Sequence, residues 1–352
     1  RRKGRAAFLV ALAFLVAIVG TGGVFGAAWI EQRLRPQDYT GAGTGSVTIQ
    51  IKEGDSGGNI AQTLVSNGVI KGTEAFVAEL AKNPKAASIQ PGFYQLRKQM
   101  SSAAAVALLL DPKSRAGNQI IIPEGLRAVQ VAARLAEKTG VPESDFKKVI
   151  KNPDNLGLPK YAKGKVEGFL FPGQYSLPPK GTAEQLLKMM VDRYHQVVRQ
   201  MDLEARAEQA DLKPLDVIIM ASLIQSESGK PSDMPKISRV IYNRLERDPP
   251  MFLKFDSTTL YGLNKFGIVA SSQDVRSKSR YNTYNYPGLP IGAISNPGQE
   301  AIDAVFKPAD GTWLFFVTTD PKNKITEYAT TESHFNRLRA KLNAYLARNG
   351  GN

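Results

Sequence analysis

The sequence predicts an α+β chain: a single N-terminal transmembrane helix, a small α+β module, and a larger mixed α+β domain. Three observations predict this. Residues Ala6 to Ile30 form one apolar run without a charge, preceded by Arg1, Arg2, Lys3 and Arg5. Beyond it, short period-two strand patterns alternate with helical stripes. One strand–turn–helix pattern then occurs twice at a constant spacing.

About 20 apolar residues cross a bilayer as a helix, and basic residues before the span keep that end in the cytoplasm. The small residues Gly26-Ala27-Ala28 leave a cleaved signal peptide as the rival, but the apolar run is longer than a usual signal core. The expected order is a cytoplasmic tail at 1–5, the span at 6–30, a linker at 31–46, the module at 47–117 and the large domain at 118–352. The linker reading rests on Arg35 to Gly45, rich in Gly, Thr, Pro and Asp. Everything after Glu31 then lies outside the cytoplasm, beside a lipid surface and away from nucleotide pools.

The 352 residues contain no cysteine and only two histidines, His195 and His334, far apart in sequence. That removes thiolate chemistry and disulfides, and argues against a histidine metal site or a histidine-based triad. No cofactor and no metal are expected. The net charge of +14 suits an anionic lipid surface or an anionic wall polymer. The cations are scattered without interleaved aromatics, which with the span argues against nucleic acid.

Val47, Ile49 and Ile51 alternate with polar residues as a half-buried strand, Glu53-Gly54-Asp55 turns, and Ile60, Ala61, Leu64 and Val65 recur at helical spacing until Gly68. A second helix is expected from Thr73 to Ala81, a short strand at Gly92-Phe93-Tyr94, and a helix capped by Ser102 and ending near Leu110. The first pattern then returns: Ile49, Ile51, Glu53, Gly54, Ile60, Ala61 and Leu64 match Ile120, Ile122, Glu124, Gly125, Val131, Ala132 and Leu135, each pair 71 residues apart. This reads as an internal repeat; two ordinary strand–helix units sharing turn chemistry would look the same. The strand–helix–helix–strand order of the first unit resembles a LysM-like module, a fold that docks N-acetylglucosamine glycans, while a packing module without a ligand fits the outline equally.

From Val166 the composition turns to Gly, Pro and aromatics through Glu167-Gly168-Phe169-Leu170-Phe171-Pro172-Gly173-Gln174-Tyr175. An amphipathic helix is expected from Ala183 to Glu204, with His195 on its surface or in packing. Near the end, Trp313 to Val317 reads as a buried strand pairing with Ile325 to Tyr328, and a charged helix from Glu332 to Arg348 closes the chain.

Between them lies the most informative helix. Pro214 suits a first helical position, and Gly229 with Pro231 ends the element. Met220, Leu223, Ile224 and Glu227 stand at i, i+3, i+4 and i+7, which places the Glu227 carboxyl on the apolar stripe. A carboxyl at the wet end of such a stripe loses hydration and its pKa rises, as general acid catalysis at neutral pH requires. The bland alternative is an exposed Glu in a fraying last turn. Around it the sequence offers Asn243 and Arg244 at the end of the next helix, Asp256 in Lys254 to Gly262, the run Tyr281-Asn282-Thr283-Tyr284, and the loop Gly288-Leu289-Pro290 to Asn296-Pro297-Gly298. Tyrosines and loop amides are the usual lining of a carbohydrate groove.

Four pieces in this order resemble the membrane-anchored endolytic murein transglycosylases of the YceG-like family: Ile122-Pro123-Glu124-Gly125, Glu167 to Pro172, Ala221-Ser222-Leu223-Ile224-Gln225-Ser226-Glu227, and Tyr281 to Tyr284 with Gly288-Leu289-Pro290. The resemblance implies cleavage of the MurNAc-β-1,4-GlcNAc bond inside peptidoglycan strands to give 1,6-anhydro-MurNAc ends. It implies Glu227 as the catalytic acid and base. It implies a substrate-binding set of Glu167, Tyr175, Ser222, Asn243, Arg244, Asp256, Tyr281, Asn282, Thr283, Tyr284, Leu289, Pro290 and Asn296. Gln225 stands where some relatives carry a second Glu, and Lys254 where many carry Gln. The implied partners are glycan strands, the lipid bilayer through residues 6–30 and peptidoglycan synthases, at the bacterial inner (plasma) membrane with the enzyme on the extracytoplasmic side. A wall-binding scaffold without catalysis and a hydrolase of the same bond remain as alternatives.

Overall fold

The computed structural model of the chain describes residues 36–348, so the expected tail and membrane span lie outside the described residues. The chain is a mixed α+β protein that divides into two compact units after Gly117.

The first unit runs β1 (Ala42–Ile51), α1 (Gly57–Ser66), α2 (Thr73–Lys82), β2 (Gly92–Met100), α3 (Ser102–Leu110) and the short β3 (Arg115–Ala116). Its sheet is antiparallel in the order β1-β2-β3. Ile49, Ile51, Ile60, Leu64, Phe76, Tyr94, Leu96 and Leu109 close one core. Three expectations need correction. Residues 42–46, read as linker, belong to β1: Gly43 is there because a Cβ would lie 2.5 Å from the Lys98 carbonyl of the neighbouring strand. The strand at Gly92 extends to Met100, its polar stretch held by pairing Thr44 with Lys98 and Ala42 with Met100. Ser101, not Ser102, caps α3, accepting the Ala104 amide.

The second unit opens with β4 (Gln119–Ile122), α4 (Ala128–Thr139), α5 (Glu143–Lys151), β5 (Gly173–Ser176) and α6 (Ala183–Gln200). This is the first unit over again, and the match reaches well past the stretch legible in the sequence. Ile49 faces Tyr94 and Ile51 faces Gly92; Ile120 faces Tyr175 and Ile122 faces Gly173. Both turn glycines are left-handed (Gly54 φ 83°, Gly125 φ 77°), and both strand-opening glycines hold φ near +150° (Gly92 150°, Gly173 146°). The Tyr94 hydroxyl donates to the Gln90 carbonyl, and the Tyr175 hydroxyl to the Phe171 carbonyl. Ala105, Val106 and Leu109 fill the first core where Leu186, Leu187 and Met190 fill the second. Tyr175, expected to bind substrate, is therefore a core residue, 8% exposed and tied to Phe171.

The rest of the second unit follows as α7 (Leu203–Gln209), α8 (Pro214–Glu227), α9 (Met234–Leu245), α10 (Asp256–Gly262), α11 (Gln299–Phe306), β6 (Phe315–Asp320), β7 (Ile325–Ala329) and α12 (Glu332–Arg348). The helix expected to reach Glu204 ends at Gln200, because Asp202 turns left-handed (φ 49°) and α7 starts anew. β6 starts two residues later than expected and is half-buried, pairing antiparallel with β7 while α12 covers it through Leu338. A second large core in this unit surrounds α8 with residues from α6, α7, α9 and α11.

Gly168 shows how tightly the chain before β5 meets α8. Its φ is +94°, and a Cβ would sit 2.7 Å from Ala293 Cβ and 2.9 Å from Ile218 Cγ2. Gly168→Ala should destabilise the chain by about 3 kcal/mol, from backbone strain and overpacking together, measured by denaturant unfolding. An effect below about 1 kcal/mol would contradict this close approach.

Candidate active site

Helix α8 is the support of the site. Pro214 occupies its first turn and every residue from Val217 to Ile224 is buried. The helix is therefore enclosed on all sides, and the one-stripe reading of its sequence is too narrow. What keeps Glu227 near solvent is its place as the last helical residue, where the enclosed rod emerges, rather than its face.

The Glu227 side chain is half-buried, and its Oε1 accepts a 2.5 Å hydrogen bond from Ser257. Burial pushes its carboxyl up to about 7. The Ser257 bond and the Arg244 charge pull it down, while the Asp256 charge pushes it further up. Asp256 opens α10 and accepts the Tyr284 hydroxyl at 2.7 Å. Burial draws the Arg244 guanidinium down to about 10; it donates to the Leu314 carbonyl at 2.6 Å and to the Leu253 carbonyl. Arg244, Asp256 and Tyr284 thus meet at Glu227 as the sequence suggested. Ser257 was missed, since one serine in a seven-residue helix forms no pattern.

Several expected substrate residues do different work. Asn282 is fully buried and holds its loop, taking the Thr259 hydroxyl and donating to the Val275 and Ser277 carbonyls. Thr283, also buried, receives the Phe255 amide and pairs with Thr258, which fixes the start of α10 and hence Ser257. Ser222 is buried and accepts the Ile294 amide, so it pins the Gly/Pro loop to α8. Asn296 accepts the Gly168 and Leu170 amides and donates to Leu126 and Glu167. Asn243 donates to the Gly311 and Trp313 carbonyls. Pro290 is buried and Leu289 packs on the core beside it. These seven positions build the loops around the site. Gln225 does the same, accepting the Gly298 amide.

A second carboxyl, Glu167, bonds to Tyr261 on the same helix α10. Glu167 accepts the Ala128 amide at 2.9 Å, the Asn296 side chain at 3.0 Å and the Tyr261 hydroxyl at 3.2 Å. Burial lifts it to about 7 against those bonds and the Arg127 charge. Tyr281 stacks edge-on to Tyr261, their centroids 4.8 Å apart, completing an aromatic pair. Tyr261 lies four residues, one helical turn, beyond Ser257 on α10.

Both Glu227 and Glu167 hold their proton more tightly folded than unfolded. Their contribution to stability is fully present below about pH 4.5 and is lost as pH rises through about 7. Glu227→Gln should accordingly raise Tm relative to the native chain more at pH 8 than at pH 5, read by scanning calorimetry. A difference that shrinks toward pH 8 would refute the raised carboxyl.

The YceG-like family model matches residues 49–341. The endolytic murein transglycosylase of Bacillus subtilis (strain 168) is 30% identical over 315 residues, covering 85% of this chain and 84% of that protein. Another protein of that name, from Streptococcus pneumoniae serotype 2, is 26% identical over 381 residues; the match covers 97% of this chain but only 66% of that longer protein. The crystal structure of a yceG-like protein from Listeria monocytogenes superposes with a TM-score of 0.57 at 26% identity, covering 84% of this chain and 99% of that one.

Proposed function

Because this chain belongs to the YceG-like family, we propose that it is an endolytic lytic transglycosylase, a peptidoglycan-acting lyase. It cuts the MurNAc-β-1,4-GlcNAc bond within glycan strands and leaves 1,6-anhydro-MurNAc ends. The observation that carries this reading is the Glu227 carboxyl, lifted to about 7 by burial at the end of an enclosed helix.

The chemistry needs that one group twice. Protonated Glu227 gives its proton to the bridging oxygen, which leaves as the O4 hydroxyl of GlcNAc while positive charge develops at MurNAc C1. The carboxylate then takes the proton of the MurNAc C6 hydroxyl as O6 closes onto C1. The acid is regenerated and no water is consumed. A group with pKa near the working pH serves both steps. Ser257 fixes the carboxyl, and the Arg244 charge favours its ionised form between them. Glycoside hydrolysis ordinarily uses two carboxylates. Here Asp256 already accepts the Tyr284 hydroxyl and the Glu167 oxygens are held by three donors, which favours the single-carboxyl route over a hydrolase.

The first unit serves as a LysM-like glycan-docking module, a role its strand–helix–helix–strand order supports. The apolar run at 6–30 anchors the chain in the bacterial inner membrane with both units on the extracytoplasmic side, beside the peptidoglycan synthases whose nascent strands it trims.

Purified chain acting on uncrosslinked peptidoglycan should release anhydro-muropeptides at a rate that Glu227→Gln lowers by about 10³-fold, by mass spectrometry of the products. Products heavier by one water would indicate a hydrolase; binding without new ends would indicate a scaffold. Removing residues 1–35 should leave that activity in vitro and abolish function in cells, and full complementation by the shortened chain would rule out the anchored role.

A further inference from the structure

The two copies of the strand–helix–helix–strand–helix unit agree in their cores and differ at one edge. In the first copy Ser56 caps α1 in the ordinary way, its hydroxyl accepting the Asn59 amide. In the second copy the matching position is Arg127, and the buried Ala128 amide is capped from a distance by Glu167. Glu167 lies between the second helix and second strand, in a connection longer than its counterpart in the first copy. Arg127 also faces the buried Glu167 carboxyl, each charge favouring the ionised form of the other.

Arg127 is placed in an unusual way. Its guanidinium carbon lies 5.1 Å from the Tyr261 ring centroid and 4.7 Å from that of Phe266, within cation–π range of both rings. Its Nη1 has no hydrogen-bond partner among the described residues although it is shielded from solvent. Phe266 is 59% exposed, which puts the cluster at the surface of the unit. A guanidinium held there keeps its edge donors for an acceptor in its plane. A second cation, Lys165, lies 5.6 Å from the Tyr281 ring centroid on the same aromatic pair. The connection to Glu227 is short: Tyr261 stands one turn, a rise of about 6 Å, along α10 from the serine that holds the Glu227 carboxyl.

We propose that this edge of the second copy is a subsite for the stem peptide of a muramyl residue, with Arg127 donating to a carboxylate oxygen of that peptide. This rests on the peptidoglycan reading above. A cation favours an anionic acceptor, and on a stem-bearing strand the carboxylates are in the peptides, whereas the sugars carry neutral hydroxyls and acetamido carbonyls. The repeat supplies the frame, and the change from Ser56 to Arg127 supplies the recognition.

The test compares strands that carry stem peptides with the same strands stripped by an amidase, using the full chain. Arg127→Ala should raise KM for stem-bearing strands about tenfold, leave kcat within about twofold, and leave stripped strands unaffected. Arg127→Lys, which keeps the charge and loses the fork, should fall between. Equal losses on both strand types, or no loss on either, would overturn the subsite. If Arg127→Ala does not fold, the Lys variant carries the comparison. If the native chain makes no anhydro ends at all, the enzymatic reading fails on its own. The ratio of Kd values for the two strand types, measured with Glu227→Gln and with the Glu227→Gln, Arg127→Ala double variant, still decides the subsite.

Discussion

The site depends on an apolar helix driven through the middle of the second unit. Eight consecutive residues of α8, Val217 to Ile224, are buried, most of them without measurable exposure. Burying Ile, Leu, Val and Met side chains is worth about 1.5–3 kcal/mol each, so the position of this rod is among the most strongly fixed features of the chain. Its C-terminal end is therefore fixed too, and the carboxyl at that end experiences desolvation it cannot relax away from. A Glu on a loop would turn toward water and titrate like a free acid; Glu227 is held where it does not.

The loops that meet this end are irregular in backbone yet closely held. Their buried polar side chains replace the hydrogen bonds a helix or sheet would have supplied. Asn296 satisfies two amides of the Gly168–Leu170 segment, Asn282 satisfies two carbonyls near Ser277, and Thr283 holds the amide that begins α10. This is why a Gly- and Pro-rich stretch can present Tyr281 and Tyr284 in defined positions. It is also why these polar residues look functional in the sequence while working one layer behind the ligand surface.

The second copy of the module forms a core of its own within the second unit. Two copies with the same register, the same glycine conformations and the same tyrosine-to-carbonyl bond have kept the packing and exchanged the edge. The sequence disclosed only the front half of this repeat, because there the spacing is constant. Beyond α5 the longer connection changes the offset, so Tyr94 with Tyr175 and Ser101 with Thr182 can be matched only once strand pairing aligns them.

Local chemistry was sufficient for much of the chain. Pro214 and the Gly229–Pro231 breaker framed α8, a charged run marked α12, the turn glycines marked Gly54 and Gly125, and a carboxyl at the end of an apolar helix singled out Glu227. Those features are encoded by neighbours within a turn or two, which a sequence displays directly. What required the tertiary structure were the long-range partners: Ser257 on Glu227, Glu167 capping a helix that starts 39 residues earlier, and Arg127 within cation–π range of Tyr261 and Phe266. The assignment of Ser222, Asn282, Thr283 and Asn296 to the scaffold also came only from the fold. Whether a polar side chain faces a ligand or a backbone amide is decided by which segments the folded chain brings together, and no residue type or spacing specifies that alone.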